Sequence, residues 1–456
     1  MKKFPRLLLH SMILAAILWG GIPLLIAAAQ PVPAWQEGEI PLIRVGIWSN
    51  QPTIIVSDDK DFNLIDGDTH ELIGRYGAKE KVTVTSREGA IFVNRFKTTA
   101  VKVEVLPNNA GQEQLIEVNR HHYRGSVEIH RTRNKFGLTV VNTLPVEQYL
   151  YGVIPKEIPP DWNGEALKAQ AVAARTYVLV NQGKYGDDGY DVGATIDNQV
   201  YAGADSEALE TNSAVDDTFG LAVTYQGKLI SAAFHSSSGG YTENSENVWG
   251  NFTPYLRGVV DYDQKAPNYR WEKQLTPIAV DAALTKGGYH IGHIQAFEIS
   301  HYSGQPGNQL DRGVSGRVKN LRLIGTEGSV EITGNKLRTL LGLYSALFDI
   351  HIMIPNKTEL EFTISDDYGR EGSKTVPANL PLFPARKAPG DGDNIQRLIG
   401  DPTELIVING YGNGHGLGLS QWGAKAMADK APVGDKTYFK QILKHYYQGV
   451  EVMKLY

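Results

Sequence analysis

The sequence predicts an α+β fold, a β-rich domain with a few helices packed on its sheets, and three observations predict it. From Pro41 to about Ile129 the chain runs in short alternating segments broken by Gly, Asn and Asp. One long helical pattern follows Glu157, and two helical stretches close the C-terminus. Alternation with a period of two sends every second side chain to one face, which suits strands with one buried side.

Taken in order, Ile43-Arg44-Val45-Gly46-Ile47, Lys81-Val82-Thr83-Val84-Thr85 and Val101-Lys102-Val103-Glu104-Val105 read as strands, and Gly137 to Asn142 as a further one. Val146 to Val153 leads toward Glu157, which stands among Pro155, Pro159 and Pro160. These prolines are expected to hold Glu157 in an extended or turn conformation without help from a helix. The helix that follows carries Leu167, Gln170, Ala171, Ala174 and Val178 on one face. Gln170 is therefore either a partly exposed residue at the helix edge or an amide facing Glu157. Leu221 to Tyr225 and Leu229 to Phe234 read as a hairpin joined by Gln226-Gly227-Lys228, and the loop His235-Ser236-Ser237-Ser238-Gly239-Gly240 follows directly. Between Thr363 and Pro402 a Pro, Gly and Asp-rich stretch reads as a mobile loop or insertion. The tail gives a strand at Leu405 to Ile408, a glycine-rich loop through Gly423, a helical Ala424 to Asp429 and a last helix near Tyr438 to Tyr447.

The expected organisation is a signal peptide or membrane anchor over 1–34, a β-rich part over 35–135 and a core over 136–362. The loop or insertion over 363–402 and a C-terminal completion over 403–456 follow. Lys2, Lys3 and Arg6 precede an apolar run from Leu7 to Ile26 that ends in Ala27-Ala28-Ala29, the pattern of an exported chain, periplasmic or facing the cell wall. Contact with the membrane is expected through that segment alone. The net charge of −5 comes from well-mixed residues, so no nucleic acid is expected as a partner. The absence of cysteine excludes disulfides, thiolate nucleophiles and Cys-type zinc sites.

Glu157 is the leading candidate for chemistry. Ile154, Ile158 and Trp162 around it are expected to disfavour its charged form, and a glutamic acid kept protonated is the general acid that glycosidic cleavage needs. Glu165 is its rival, although a carboxylate in the first turn of a helix is favoured by the helix dipole with no catalytic role. In the tail, Gly414-His415-Gly416 lacks the third glycine of a dinucleotide fingerprint, and no Gly-Lys-Ser/Thr follows for a phosphate loop. Ser420 fails as a nucleophile elbow because Trp422 stands where glycine is needed. The cluster of glycines with His415 and Trp422 is either a surface for an extended ligand, Trp422 stacking on a sugar, or a tight structural turn. No metal site is expected: neither His235 nor His415 has a closely spaced partner, and His121 and His122 should point to opposite faces of a strand.

Several segments together resemble the SpoIID/LytB family, that of stage II sporulation protein D and the LytB amidase enhancer. They are Leu144-Pro145-Val146-Glu147-Gln148-Tyr149-Leu150-Tyr151-Gly152-Val153, Glu157-Ile158-Pro159, Glu165 through Tyr177, Asp197-Asn198-Gln199-Val200-Tyr201, Phe234 through Gly240, and Gly414-His415-Gly416 through Gln421-Trp422-Gly423. The resemblance implies action on peptidoglycan glycan strands. Some members are lytic transglycosylases on strands stripped of stem peptides, and others enhance a cell-wall amidase. It implies catalysis by Glu157, with Glu165 as the alternative; the residues expected to contact the substrate are Gln170, Arg175, His235, Ser236, Ser238, His415, Gln421 and Trp422. Some members bind zinc through cysteine with histidine near the loop matching His235 to Gly240; a chain without cysteine departs from that pattern, and no cofactor is expected.

Overall fold

The computed structural model describes residues 39–108, 114–304, 309–354 and 393–456, and the backbone alone of the strands Glu359–Ser365, Glu371–Pro377 and Phe383–Pro384. The N-terminal segment over 1–34 lies outside these residues; among those described, no helix is long and apolar enough to cross a membrane. The architecture is α+β and rich in strands.

Alternation builds the first two sheets. In Leu42–Gln51, Ile43 and Val45 are wholly buried while Leu42 and Arg44 face outward. This strand lies second in a seven-stranded sheet ordered Val192–Gly193, Leu42–Gln51, Leu138–Pro145, Ser126–Arg131, Lys102–Pro107, Phe62–Asp66, Leu72–Tyr76. A six-stranded sheet, with Thr53–Asp58 and Val82–Arg87 at its centre, shares the same core. Leu138–Pro145 pairs on both sides, with Leu42–Gln51 and with Ser126–Arg131, and is buried along most of its length. The division expected near residue 135 therefore runs alongside a continuous sheet rather than a linker.

Helix α1, Val146–Glu157, starts at once from this strand, and here the sequence expectation is corrected. Glu157 is the last residue of a helix, not part of a proline-held extended segment. Pro155 sits in the final turn, where the one hydrogen bond it cannot donate and the clash it brings disturb the least. The break comes at Ile158, which is extended (φ −140°, ψ 149°) ahead of Pro159, and its N–H still donates to the Ile154 carbonyl (3.0 Å).

Helix α2, Gly164–Val180, is capped by Asn163, whose Oδ1 accepts from the Glu165 N–H (2.9 Å). It is buried on nearly every face, and the charged residues this takes out of water are paired, Glu165 with Lys168 and Arg175 with Glu147. Its alanines let α1, α3 (Leu209–Asp217) and the strand Leu221–Tyr225 approach closely. The hairpin expected from 221 is shorter than predicted. Gln226 and Gly227, both at positive φ, turn Leu221–Tyr225 onto Lys228–Leu229, but Phe234–His235 leaves to pair in parallel with Leu419–Ser420.

A short helix α4, Ser245–Trp249, precedes a segment with its own core. In that segment Arg270–Leu275, Leu405–Tyr411 and Phe348–Ile354 form one sheet and Gly328–Thr333, Asn320–Gly325, Ile294–Glu298 and Ile395–Arg397 another. Both pack with α5 (Pro277–Lys286) and α6 (Gly334–Leu341). The stretch expected to be a loop carries strands: Glu359–Ser365 and Glu371–Pro377 pair as a hairpin, while Asp366 to Arg370 lie outside the described residues.

Helices α7 (Gln421–Ala428) and α8 (Phe439–Tyr446) close the fold against α2. Gly423 in α7 shows how tightly. A β-carbon there would overlap the Asp261 carboxylate and the Tyr446 hydroxyl, which are bonded to each other at 2.7 Å. Alanine favours an isolated helix by about 1 kcal/mol over glycine. Gly423→Ala is nevertheless expected to destabilise the protein by about 1–3 kcal/mol through overpacking. A urea midpoint equal to or above that of the parent would refute this.

Candidate active site

Glu157 ends α1 on the lining of a cleft of 530 Å3. The walls come from Tyr177 of α2, the loop Ile196 to Val200, the paired segments 231–236 and 413–421, and Trp249 with Arg338 from α4 and α6. Motifs hundreds of residues apart meet here because Phe234–His235 and Leu419–Ser420 are adjacent strands. Ser237 and Asn413 then exchange backbone hydrogen bonds (3.0 and 2.8 Å).

The Glu157 carboxylate accepts from the Val200 N–H (3.3 Å) and from the Gln421 side chain. Burial raises its pKa above the ordinary carboxylate value, and these two donors, which favour the charged form, pull it partly back. The loop that supplies Val200 is fastened from behind. Gln199 accepts from the buried Tyr149 hydroxyl (3.2 Å) and donates to the Ala174 carbonyl (3.4 Å), and the Ala202 N–H donates to Gly152 of α1 (3.2 Å). The other carboxylate on the cleft lining, Asp197, lies exposed at the rim.

Both histidines line the cleft, their rings 5.3 Å apart. His235 Nδ1 stands 3.1 Å from the Leu417 carbonyl, which can only accept, so the proton sits there and the Nε2 lone pair has no partner among the described residues. His415 Nδ1 accepts from the Leu417 N–H (3.0 Å), which places its proton on Nε2, toward the Phe234 carbonyl. Burial lowers the pKa of both, His415 to about 4, and the Arg317 and Arg338 charges push the same way. At neutral pH both rings are uncharged: they can orient a hydroxyl but not donate as imidazolium. Ser236 and Gln421 also line the cleft.

Other expected site residues lie elsewhere. Glu165 is buried, bonded to Lys168 Nζ (3.1 Å) and accepting from the Phe439 N–H (2.9 Å), so it joins α2 to the start of α8. Gln170 is buried within α2, off the cleft lining, and its amide makes no hydrogen bond among the described residues. Arg175 is wholly buried in an ion pair with Glu147. Ser238 is wholly buried and donates to Asp261 Oδ2 (2.5 Å), beneath the loop rather than on it. Trp422 packs edge-on against Trp162 at 5.0 Å and does not line the cleft. The glycines serve the structural turn. A β-carbon at Gly414 would crowd His235, and one at Gly416 would overlap the Arg317 guanidinium, both at positive φ.

That loop is pinned from below. Asp263 accepts from the Gly239 and Gly240 N–H groups (2.7 and 2.9 Å), and burial followed by repulsion from Asp261 raises its pKa to about 6. Arg317 donates to the Ser238 carbonyl (2.7 Å). His121 and His122 do not diverge as strand alternation suggests; they open the short strand His121–Tyr123, their Nδ1 atoms reach the two oxygens of Asp205 (3.3 and 2.7 Å), and His122 also gives its N–H to the same carboxylate.

The residues present do not fit the zinc site that the family resemblance raises. His235 Nε2 is free among the described residues, but His415 uses both nitrogens, Ser238 is engaged by Asp261, and no group of three ligating side chains exists among the described residues.

Sequence reasoning missed Tyr177, Trp249, Arg338 and Asn413 on the cleft lining. Tyr177 and Asn413 lie inside or beside quoted motifs. Trp249 follows the His235 loop closely in sequence, whereas nothing local marks Arg338.

A β-rich α+β protein with one shielded glutamate in an open cleft, flanked by two neutral histidines, is the class that fold and site define. A model of the SpoIID family, stage II sporulation protein, matches residues 134–225. The chain is 32% identical over 320 residues to an uncharacterized protein of Brachyspira hyodysenteriae, covering 69% of this chain and 68% of that one. It is 31% identical over 396 residues to the amidase enhancer of Bacillus subtilis, 85% of this chain but 50% of that protein. It is 28% identical over 345 residues to stage II sporulation protein D of Bacillus subtilis, 72% of this chain and 78% of that one. The chain belongs to the SpoIID/LytB family.

Proposed function

We propose that this protein is an exported cell-wall protein that cleaves peptidoglycan glycan as a lytic transglycosylase, with Glu157 as its one catalytic residue. The observation that carries the reading is the Glu157 carboxyl at the cleft, its pKa raised by burial while Asp197 stays solvated at the rim. Glu157 protonates the oxygen between N-acetylmuramic acid and N-acetylglucosamine, and that bond breaks. As a carboxylate it then takes the proton of the muramic C6 hydroxyl while C6 oxygen closes on C1, giving a 1,6-anhydro ring and restoring the acid. One carboxyl thus serves twice, unlike the paired carboxylates of most glycosidases. The His235 Nε2 lone pair is suited to accept from a sugar hydroxyl, and Trp249, 47% exposed and 5.7 Å from the His415 ring, offers a sugar platform.

Mass spectrometry of stem-peptide-free wall glycan after incubation with the protein tests this. Fragments with 1,6-anhydro ends are expected. A second reading, a peptidoglycan-binding enhancer of a cell-wall amidase, rests on the similarity to the amidase enhancer. Intact glycan together with faster amidase turnover would favour it.

The pH profile carries its own expectation. A general acid must be protonated, so cleavage falls as pH rises through the Glu157 pKa. Gln421 favours the charged form; Gln421→Leu removes that donor, raises the pKa further and moves the alkaline limb to higher pH. A limb displaced toward lower pH would contradict the assignment.

A further inference from the structure

We propose that Arg338 is the carboxylate-binding residue of the cleft and that it takes the free lactyl carboxylate of muramic acid in the bound glycan. The inference rests on the glycan reading above and adds to it a residue supplied by the separate core of α5 and α6.

Arg338 lines the same cleft as Glu157, from within α6. Its Nε donates to the Tyr344 carbonyl (3.2 Å), which orients the guanidinium, and among the described residues it makes no ion pair with any carboxylate. Charged side chains taken partly out of water normally find acceptors: Arg175 pairs with Glu147 and Arg124 with Glu207, and the buried Arg317, which has no ion pair among the described residues, gives its terminal nitrogens to the Ser238 and Tyr241 carbonyls and Ser315 Oγ, so each supplies its guanidinium end with an acceptor. Arg338 does not, and burial pushes its pKa down without an acid to offset it. An arginine fork matches a carboxylate with two parallel hydrogen bonds. In peptidoglycan that lactyl group is an amide while the stem peptide is attached and a carboxylate only after its removal. Arg338 therefore reads the chemical state of the substrate beside the bond to be cut.

The test uses the full chain carrying Glu157→Gln, so that binding is read without turnover. Its probes are a stem-peptide-free tetrasaccharide of alternating N-acetylglucosamine and N-acetylmuramic acid, and the same sugar with its carboxylates converted to primary amides. Titration by tryptophan fluorescence is expected to show the acid form bound about 10- to 100-fold more tightly. Adding Arg338→Ala should remove that preference, and Arg338→Lys should restore part of it, which a merely structural role would not do. An undiminished preference in Arg338→Ala overturns the assignment, as does failure of both sugars to bind. Cleavage fails separately: a native chain that binds the acid form yet yields no 1,6-anhydro ends refutes the transglycosylase reading and leaves the Arg338 site standing.

Discussion

Glu157→Gln is expected to lower glycan cleavage by at least about 100- to 10,000-fold, the span of general acid–base catalysis, because the same carboxyl is asked both to give and to take the proton. The fold should survive. Glutamine is nearly the same shape, and its oxygen can still accept from the Val200 N–H that now reaches Glu157 at 3.3 Å. Stability should even rise slightly at neutral pH. The folded-state pKa of Glu157 is raised by burial, so the folded protein binds this proton more tightly than the unfolded chain. The stability it contributes is greatest below the unfolded value, about 4.3, and is lost as pH rises through the folded value. The variant lacks that loss, and its gain over the parent should appear between mildly acidic and neutral pH in thermal melts. Retained cleavage with an intact fold would end the case for Glu157.

Arg175→Ala is expected to cost about 3–5 kcal/mol of folding stability, the usual penalty for stranding one member of a buried ion pair. Arg175 Nη2 and Nε bond Glu147 at 2.6 and 3.0 Å, and the guanidinium also donates to the Val215 and Leu221 carbonyls (3.1 Å each). Glu147 in turn accepts from the Gly220 N–H (3.1 Å) and the Tyr456 hydroxyl (2.7 Å), so the pair ties α1, α2, the turn after α3 and the C-terminus together. Without the guanidinium, Glu147 must be neutralised or stay charged in a dry core. Arg175→Met combined with Glu147→Leu should recover much of the loss, since replacing both partners removes the stranded charge. Urea unfolding of the three variants decides it; a loss under about 1 kcal/mol for Arg175→Ala would mean the pair is not what holds these elements.

The two arginines show where local reading ends. Arg175 lies in a family motif and was expected to touch substrate, yet it is structural. Arg338 lies in no motif and stands in the cleft. Whether a cation meets solvent or a buried acid depends on which elements pack over it. Glu147 and Arg175 meet across two helices, and α6 reaches the cleft from a different core. Similarly, Trp422 and Trp249 are equally good sugar platforms as residues, and only packing turns the first against Trp162 and leaves the second open.

By itself the sequence determined the α+β class, the alternating strands, the helix from Gly164 and the two C-terminal helices, because periodicity and capping act within a few residues. It also singled out Glu157 and the loops at His235 and His415 that converge on one cleft. It misjudged the end of α1, because the final turn of a helix tolerates Pro155 and the break comes only at Ile158. Tertiary structure alone decided which polar side chains face that cleft. Ser238, Glu165 and Arg175 turn inward because Asp261, the start of α8 and Glu147 offer hydrogen bonds that water would otherwise supply. Such partners lie far off in the chain, and no local pattern announces them.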